Sequence, residues 1–306
     1  MRYKKLDSTD RRIIRMMQND ARASFKEIAE HCEVSLDTIK NRYKSLIKSG
    51  ILKGSTIVLN PRILGKGNLV LFGIQTTHYY ADIVINLVKK IQGMYVVTKA
   101  IGRYDIEAIA ILDDIEKIGE TKNIIGDLQQ VKNVDVDIFV DKMLLCPRNF
   151  EFNKVKKMKI DEIDLAIIDI LKKEARTSFR SIARKLKVSP DTISKRYDRL
   201  AREGVILGST VVINPSKIGY SFIARFGINV KPAYASQVLA KLIKIPNVII
   251  ASKLVGNYDI VAISVIKDFQ HLSRLRSTIL EMANIDKVEL GMWIDTMELC
   301  PHYFII

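Results

Sequence analysis

Apolar residues recur along this chain first at spacings of three and four and then in nearly unbroken runs, and that change of texture happens twice. Over residues 6 to 50 the spacing predicts three short helices. Ile13, Ile14 and Met17 mark the first, Ile28 and Ala29 the second, and Ile39, Tyr43, Leu46 and Ile47 the third, which Gly50 ends. From Ile51 onward runs of Val, Ile and Leu dominate, and Gly67 to Gln75, Met94 to Ile101, Ile106 to Leu112 and Val134 to Leu145 read as strands. Helical spacing returns between them, in Ile83, Leu87 and Ile91 and again in Ile115, Ile118 and Ile125. The order after the three helices is βαββαβ, the ferredoxin-like arrangement.

The second half repeats the first without a gap at an offset of 154 residues. Asp7 and Asp10 return as Asp161 and Asp164, Ala21-Arg22 with Ser24-Phe25 as Ala175-Arg176 with Ser178-Phe179, and Gly54-Ser55-Thr56 as Gly208-Ser209-Thr210. Tyr104-Asp105 and Cys146-Pro147 return as Tyr258-Asp259 and Cys300-Pro301. So long a period denotes two complete units rather than a solenoid, whose repeats span roughly 20 to 50 residues. The second βαββαβ run reads through Ser221 to Asn229, Ala233 to Ile245, Val248 to Val255, Ile260 to Ile266, Phe269 to Ala283 and Val288 to Leu299. The expected class is α+β: two copies of a winged-helix-like helix-turn-helix domain followed by a ferredoxin-like domain, with boundaries at 1–60, 61–148, 149–214 and 215–306. Pro147 to Lys159, with Lys154, Lys156, Lys157 and Lys159, reads as a linker that spans at most ~45 Å when extended.

Composition narrows the class. The 306 residues are 48% hydrophobic and hold three cysteines, Cys32, Cys146 and Cys300, which excludes a disordered, collagen-like or disulfide-stapled chain. The opening MRYKKLDSTDRR lacks the apolar core of a signal peptide, and no run of ~18 uncharged apolar residues occurs, so a soluble cytoplasmic chain is expected. The net charge of +15 favours an acidic partner, and its distribution says which one. Residues 1–60 hold 13 basic and 7 acidic side chains and residues 151–214 hold 15 and 9, while 61–150 balance at 11 and 11 and 215–306 hold 10 and 7. Twelve of the fifteen excess charges therefore lie on the two three-helix segments, the footprint of duplex binding.

The third helix of each copy is the candidate reader of double-stranded DNA. Ser35 and Ser189 can cap its start, with Asp37 and Asp191 at the positive end of the dipole and Pro190 where no amide donor is needed. In copy one Thr38, Lys40, Asn41, Arg42, Lys44 and Lys48 are the candidate DNA contacts beside Ser35; in copy two they are Thr192, Ser194, Lys195, Arg196, Arg199 and Arg202 beside Ser189. The core positions Ile39, Tyr43 and Leu46 are kept as Ile193, Tyr197 and Leu200 while the outer face changes. That combination suits two helices reading related but unequal base steps.

Taken together, Leu6-Asp7-x-x-Asp10-x-x-Ile13-Ile14, Ala21-Arg22-x-Ser24-Phe25, Ile28-Ala29, Val34-Ser35, Arg42-Tyr43-x-x-Leu46, Gly50-Ile51 and the later Gly102-Arg103-Tyr104-Asp105 resemble the Lrp/AsnC family of prokaryotic transcriptional regulators. The second copy carries the same signs, including Gly256-Asn257-Tyr258-Asp259. The resemblance implies operator binding by the helix-turn-helix, dimerisation through the βαββαβ domain, and an amino acid or similar small effector near the Gly-x-Tyr-Asp turn. Gly102, Arg103, Tyr104, Asp105, Gly256, Asn257, Tyr258 and Asp259 are accordingly the candidate effector residues. The same turns also read as plain strand connections with each tyrosine packed beneath. Family members usually carry one such unit, so this chain resembles a dimer fused into one polypeptide that reads an imperfect palindrome, with further self-association open.

Other readings use fewer of the residues. His31, His78, His271 and His302 are not at ligand spacing, so no metal is expected, and Cys146 and Cys300 read as end-of-strand thiols. Gly65-x-Gly67 lacks the third glycine of a dinucleotide fingerprint, no cofactor is expected, and Trp293, which aligns with Phe139, reads as core. Sirohaem decarboxylases resemble this two-domain unit but carry a His- and Arg-rich strand. Tyr95 to Gly102 and Ile249 to Gly256 have no histidine, so the reading is of a non-enzyme. A nucleoid-like architectural protein would use the same charges with a weak specific-to-nonspecific ratio.

Overall fold

The computed structural model describes residues 6–60, 67–77, 80–140 and 160–294, and the backbone of 144–145. Gly65, His78, Cys146, Pro147, Cys300, Pro301, His302 and the Pro147 to Lys159 linker lie outside the described residues. In copy one the elements are α1 (Ser8–Asn19), α2 (Phe25–Cys32), α3 (Leu36–Lys48), β1 (Leu52–Leu59), β2 (Asn68–Thr76), α4 (Ala81–Val88), β3 (Met94–Ile101), β4 (Ile106–Leu112), α5 (Ile115–Gly126), β5 (Val131–Phe139) and β6 (Leu144–Leu145). In copy two they are α6 (Glu162–Lys173), α7 (Phe179–Leu186), α8 (Pro190–Arg202), β7 (Ile206–Ile213), β8 (Phe222–Val230), α9 (Ala235–Leu242), β9 (Val248–Val255), β10 (Ile260–Ile266), α10 (Phe269–Leu280) and β11 (Ile285–Trp293). The described residues up to 60 and from 160 to 219 belong to one compact unit, and those from 67 to 145 and from 220 to 294 to a second. Each unit thus draws on both copies.

In the first unit the three helices of each copy start where a short side chain satisfies a free amide. Asp7, Ser24 and Ser35 accept from the amides of Asp10, Glu27 and Thr38, and Asp161, Ser178 and Ser189 do the same three residues ahead. Gly50, at φ +70°, follows α3 in the left-handed region that a glycine enters without strain. Ile13, Met17, Ile28, Ile39 and Leu46 have no exposed surface, each such side chain adding roughly 2 kcal/mol from burial. Val211 of β7 joins this copy-one core, so the second repeat completes the first.

β1 and β7 pair antiparallel, with Thr56 opposite its own equivalent Thr210. A local twofold axis therefore runs between the two threonines. The strand reading began at Gly67 and missed both strands. Ser55 to Leu59 is buried at every position, without the polar-apolar alternation of a half-exposed strand, and its partner lies in the other repeat.

In the second unit each copy forms a four-stranded antiparallel sheet in the order β3-β4-β2-β5 or β9-β10-β8-β11. The copies join twice: Met292 and Trp293 of β11 pair with Ile101 and Ala100 of β3, and Ile138 and Phe139 of β5 pair with Val255 and Leu254 of β9. Eight strands close into one ring. Val70, Phe72 and Ile74 pack with Val84, Val88, Ile118 and Ile125 of the helices, and Phe226, Ile228 and Ala262 do so with Val238, Leu242 and Ile279. Alternate residues, among them Leu71, Glu107, Arg225 and Val261, point to the other face of the sheet and are buried within the ring.

The face expected from Ile83 and Leu87 is exposed, and α4 buries Val84, Ile85 and Val88 instead. Ile115 is also exposed, whereas Ile118 and Ile125 are core. The run expected from Val134 to Leu145 is instead β5, which begins earlier and spans Val131–Phe139, and the separate short β6 at Leu144–Leu145. Short apolar stretches in these helices offer two possible faces, and only the sheet beneath decides between them.

Candidate nucleic-acid interface and effector turns

On α3, burial of Ile39 and Leu46 turns Lys40, Asn41, Lys44 and Lys48 to solvent. Ser35, its hydroxyl 2.8 Å from that of Thr38, forms the exposed start of the helix. On α8 the exposed set is Ser189, Lys195 and Arg202, with Thr192 and Ser194 half-buried. Lys40 and Lys195 rest on Asp37 and Asp191 one turn back, at 3.2 and 2.8 Å, solvent-screened pairs that a phosphate can displace. The two exposed faces differ in charge. Lys40, Lys44 and Lys48 have Ser194, Asp198 and Arg202 at the equivalent positions, so one lysine is replaced by a carboxylate.

Three of the candidate contacts are held elsewhere. Arg42 donates to Asp7 at 2.6 Å and to buried Asp10 at 2.9 Å, and Arg196 to Asp161 at 2.6 Å and buried Asp164 at 2.9 Å. Arg199 also pairs with Asp164. These arginines fasten each third helix to the first helix of its own copy. The Arg196 guanidinium and the Asp164 amide hold the Asp161 carboxyl down at about 2, and the Asp10 amide and Arg42 lower Asp7 as well. A carboxylate depressed in the folded state stabilises above its ordinary value of 3.8 and loses that contribution as pH falls toward 2. Near-ultraviolet circular dichroism should therefore show a loss of tertiary signal between pH ~4 and ~2. Asp161→Asn should flatten it, and an unchanged profile in that variant would refute the assignment.

Arg22 and Arg176, which in sequence mark the repeat and the family pattern, cross between the copies. Arg22 donates to the carbonyls of Ala175 and Thr177, and its guanidinium lies 4.5 Å from the Phe179 ring and 5.4 Å from that of Tyr197. Arg176 returns the contact, donating to Ala21 and Ala23 and lying 4.3 Å from Phe25 and 5.8 Å from Tyr43. The tyrosines stand on α8 and α3, so each arginine touches the other copy's third helix. Ser209 and Ser55 brace the clamp: each accepts from the clamping arginine's own amide and donates to Asp20 or Glu174. The repetition of Ala-Arg-x-Ser-Phe was the available signal, but sequence did not say that the arginine reaches across.

In the second unit the turn residues are built in tightly. Gly102 and Gly256 have φ of +137° and +153°, and a side chain on Gly102 would meet the Leu290 carbonyl of the other copy. Tyr104 and Tyr258 lie against Gly73 and Gly227, where a methyl group would strike their rings. Asp105 and Asp259 accept from the amides of Thr76 and Val230 at 2.7 and 2.9 Å. The unmatched pair behaves unequally: the Arg103 side chain donates to Asp135 at 2.9 Å and lies 3.7 Å from Glu289, whereas at Asn257 it is the backbone N–H that donates, to Asp137. Burial, then the bond to Glu289, raises the Tyr258 hydroxyl to about 12, and Tyr104, bonded to Asp135, is raised as well. Trp293 is buried as expected and donates to Glu107 at 2.6 Å.

Comparison with known proteins fits this geometry. An AsnC-type helix-turn-helix domain matches residues 6–47, a winged helix-turn-helix DNA-binding domain matches 160–206, and an Lrp/AsnC ligand binding domain matches 223–297. The uncharacterized HTH-type transcriptional regulator PH0140 of Pyrococcus horikoshii is 38% identical over 44% of this chain and 84% of its own length. The chain belongs to the Lrp/AsnC family. The HTH-type transcriptional regulator Ptr1 of Methanocaldococcus jannaschii is 33% identical over 45% of this chain and 95% of its own length. Such single-unit Lrp/AsnC relatives span less than half of this chain. A solved structure of the siroheme decarboxylase NirDL covers 95% of this chain and 92% of its own at a TM-score of 0.69 with 14% identity, a likeness of fold alone. No helix among the described residues is long and apolar enough to cross a membrane.

Proposed function

We propose that this Lrp/AsnC protein is a sequence-specific, cytoplasmic transcriptional regulator in which two fused units, each a helix-turn-helix with a ferredoxin-like domain, form a pseudo-dimer that reads an imperfect palindrome in double-stranded DNA. The observation that carries the reading is the crossed Arg22 and Arg176 clamp, which joins two basic third helices with unequal exposed faces. On this reading Ser35, Thr38, Lys40, Asn41, Lys44 and Lys48 meet one half-site and Ser189, Thr192, Ser194, Lys195 and Arg202 the other, while Arg42, Arg196 and Arg199 orient the helices. An amino acid or other small effector acts at the Gly102 to Asp105 and Gly256 to Asp259 turns, where Arg103 and Asn257 make the two sites unequal. The chain acts as a regulator and not as an enzyme, since the strands from Tyr95 and Ile249 hold no histidine.

The test is selection from random duplexes followed by titration in salt. Selection is expected to return two related, non-identical half-sites in inverted orientation. Lys40→Ala, Lys44→Ala, Lys48→Ala should leave the fold intact and lower the slope of log affinity against log salt by about 0.9 for each lysine that meets a phosphate. Selection of no preferred sequence, with a steep salt dependence in the unaltered chain, would favour an architectural protein instead.

A further inference from the structure

One buried ion pair lies across the two copies inside the ring. Arg225 of copy two, on β8, has no exposed surface and donates from Nε to Glu107 of copy one, on β4, at 2.7 Å. The second donor to Glu107 is also from copy two, the Trp293 indole at 2.6 Å. The Arg225 guanidinium sits 5.7 Å from the Tyr104 ring and 5.2 Å from the Tyr258 ring, and its Nη1 and Nη2 have no hydrogen-bond partner among the described residues. A buried pair with unmet donors is a poor way to gain stability.

The repeat shows what such a pair can do. Leu71 is the equivalent of Arg225, Val261 of Glu107, and Phe139 of Trp293. The pair therefore exists once, and both of its members are satisfied only when copy one meets copy two. Pairing of copy one with copy one would set Glu107 against leucine and phenylalanine, a buried carboxylate without a donor. Pairing of copy two with copy two would set Arg225 against Val261, a buried guanidinium without a carboxylate. The space follows the same rule: the Arg225 head passes Gly291, where a Cβ would stand 3.1 Å from Nη2, and the equivalent of Gly291 is Asp137.

We infer that Glu107, Arg225 and Trp293 are a pairing key: the partner that fits the open sheet of copy one is copy two, and the key rejects a second copy one or the equal sheet of any one-unit relative that lacks an arginine and a tryptophan at these places. The inference deepens the pseudo-dimer reading and rests on it. The key is needed while copy one is complete and copy two is still unmade, when the apolar sheet of copy one can meet its like on a neighbouring chain. Glu107 then keeps that encounter from becoming stable.

The test uses the full chain with Cys32, Cys146 and Cys300 replaced by serine. Ile101 lies opposite Met292 in the observed pairing, and the copy-one equivalent of Met292 is Ile138. Cysteines at 101 and 292 therefore form a link within one chain, whereas cysteines at 101 and 138 link two chains only when copy one pairs with copy one. Each pair is refolded over chain concentrations that approach the millimolar range set by a tether. With the key intact, the 101 to 138 link should stay at background throughout. In Glu107→Val, Arg225→Leu, Trp293→Phe it should grow with concentration to about tenfold above the intact key. Leu71→Arg, Asp137→Gly, Val261→Glu supplies a second pair and the space its guanidinium needs, gives each carboxylate an arginine in every pairing, and should behave like the triple variant; it serves if the triple variant does not fold. Linking through 101 and 138 that stays at background both with and without the key would overturn the inference and leave the pseudo-dimer standing. Linking through 101 and 138 with the key intact would overturn the pseudo-dimer itself.

Discussion

Replacing both Arg22 and Arg176 by alanine is expected to lower the melting temperature of the first unit by about 10 °C or more. Each side chain makes two hydrogen bonds from a charged donor to carbonyls of the other copy and stacks on an aromatic pair, Phe179 with Tyr197 or Phe25 with Tyr43. Such contacts contribute about 2 kcal/mol per arginine when partly desolvated, so the double loss is ~4 kcal/mol. The same variant should bind a duplex with two half-sites at least about tenfold more weakly while keeping its affinity for one half-site, because the third helices lose their fixed relation. Lysine at both positions should recover little, since it lacks the planar fork that stacks and donates together. Calorimetry and fluorescence anisotropy on the two duplexes check both parts. An unchanged melting temperature, or equal losses on both duplexes, would show that the clamp does not set the readers.

The second large effect concerns Glu107. Glu107→Val alone leaves Arg225 fully buried without its carboxylate and Trp293 without its acceptor, and the second unit should lose about 3 to 5 kcal/mol. Adding Arg225→Leu and Trp293→Phe puts the residues of the opposite copy at all three places and should return stability to within about 1 to 2 kcal/mol of the original, because well-packed apolar groups replace buried ion pairs at little cost. Urea unfolding of the single and triple variants measures the difference. A triple variant no more stable than the single one would mean that the pair contributes net stability to the ring.

What sequence revealed and what it hid divide along one physical line. The caps at Ser35 and Ser189, the stop at Gly50 and the strands Met94–Ile101 and Ile106–Leu112 depend on neighbours within a few residues, and the sequence shows them. The faces of α4 and α5 depend on the sheet beneath them, so the spacing that marks Ile83 and Ile115 as helical does not tell that both stay outside the core. β1, β7, the arginine clamp and the Glu107 to Arg225 pair depend on partners 118 to 175 residues away and could not be read from local pattern. The repeat still held a trace of them. Arg22 and Arg176 are kept in both copies because each serves the other, while Glu107 and Arg225 are each present once because they serve a difference between the copies.

The ladder between β1 and β7, with Thr56 facing Thr210, joins strands of a single polypeptide. Strands on separate chains would part on dilution, and a regulator built from them would titrate its own assembly as its abundance changed. Here each strand meets its partner at an effective concentration in the millimolar range, whatever the number of molecules in the cell. On the proposed reading, in which one chain occupies one operator, occupancy of DNA follows chain abundance to the first power, and a handful of molecules responds as linearly as a thousand.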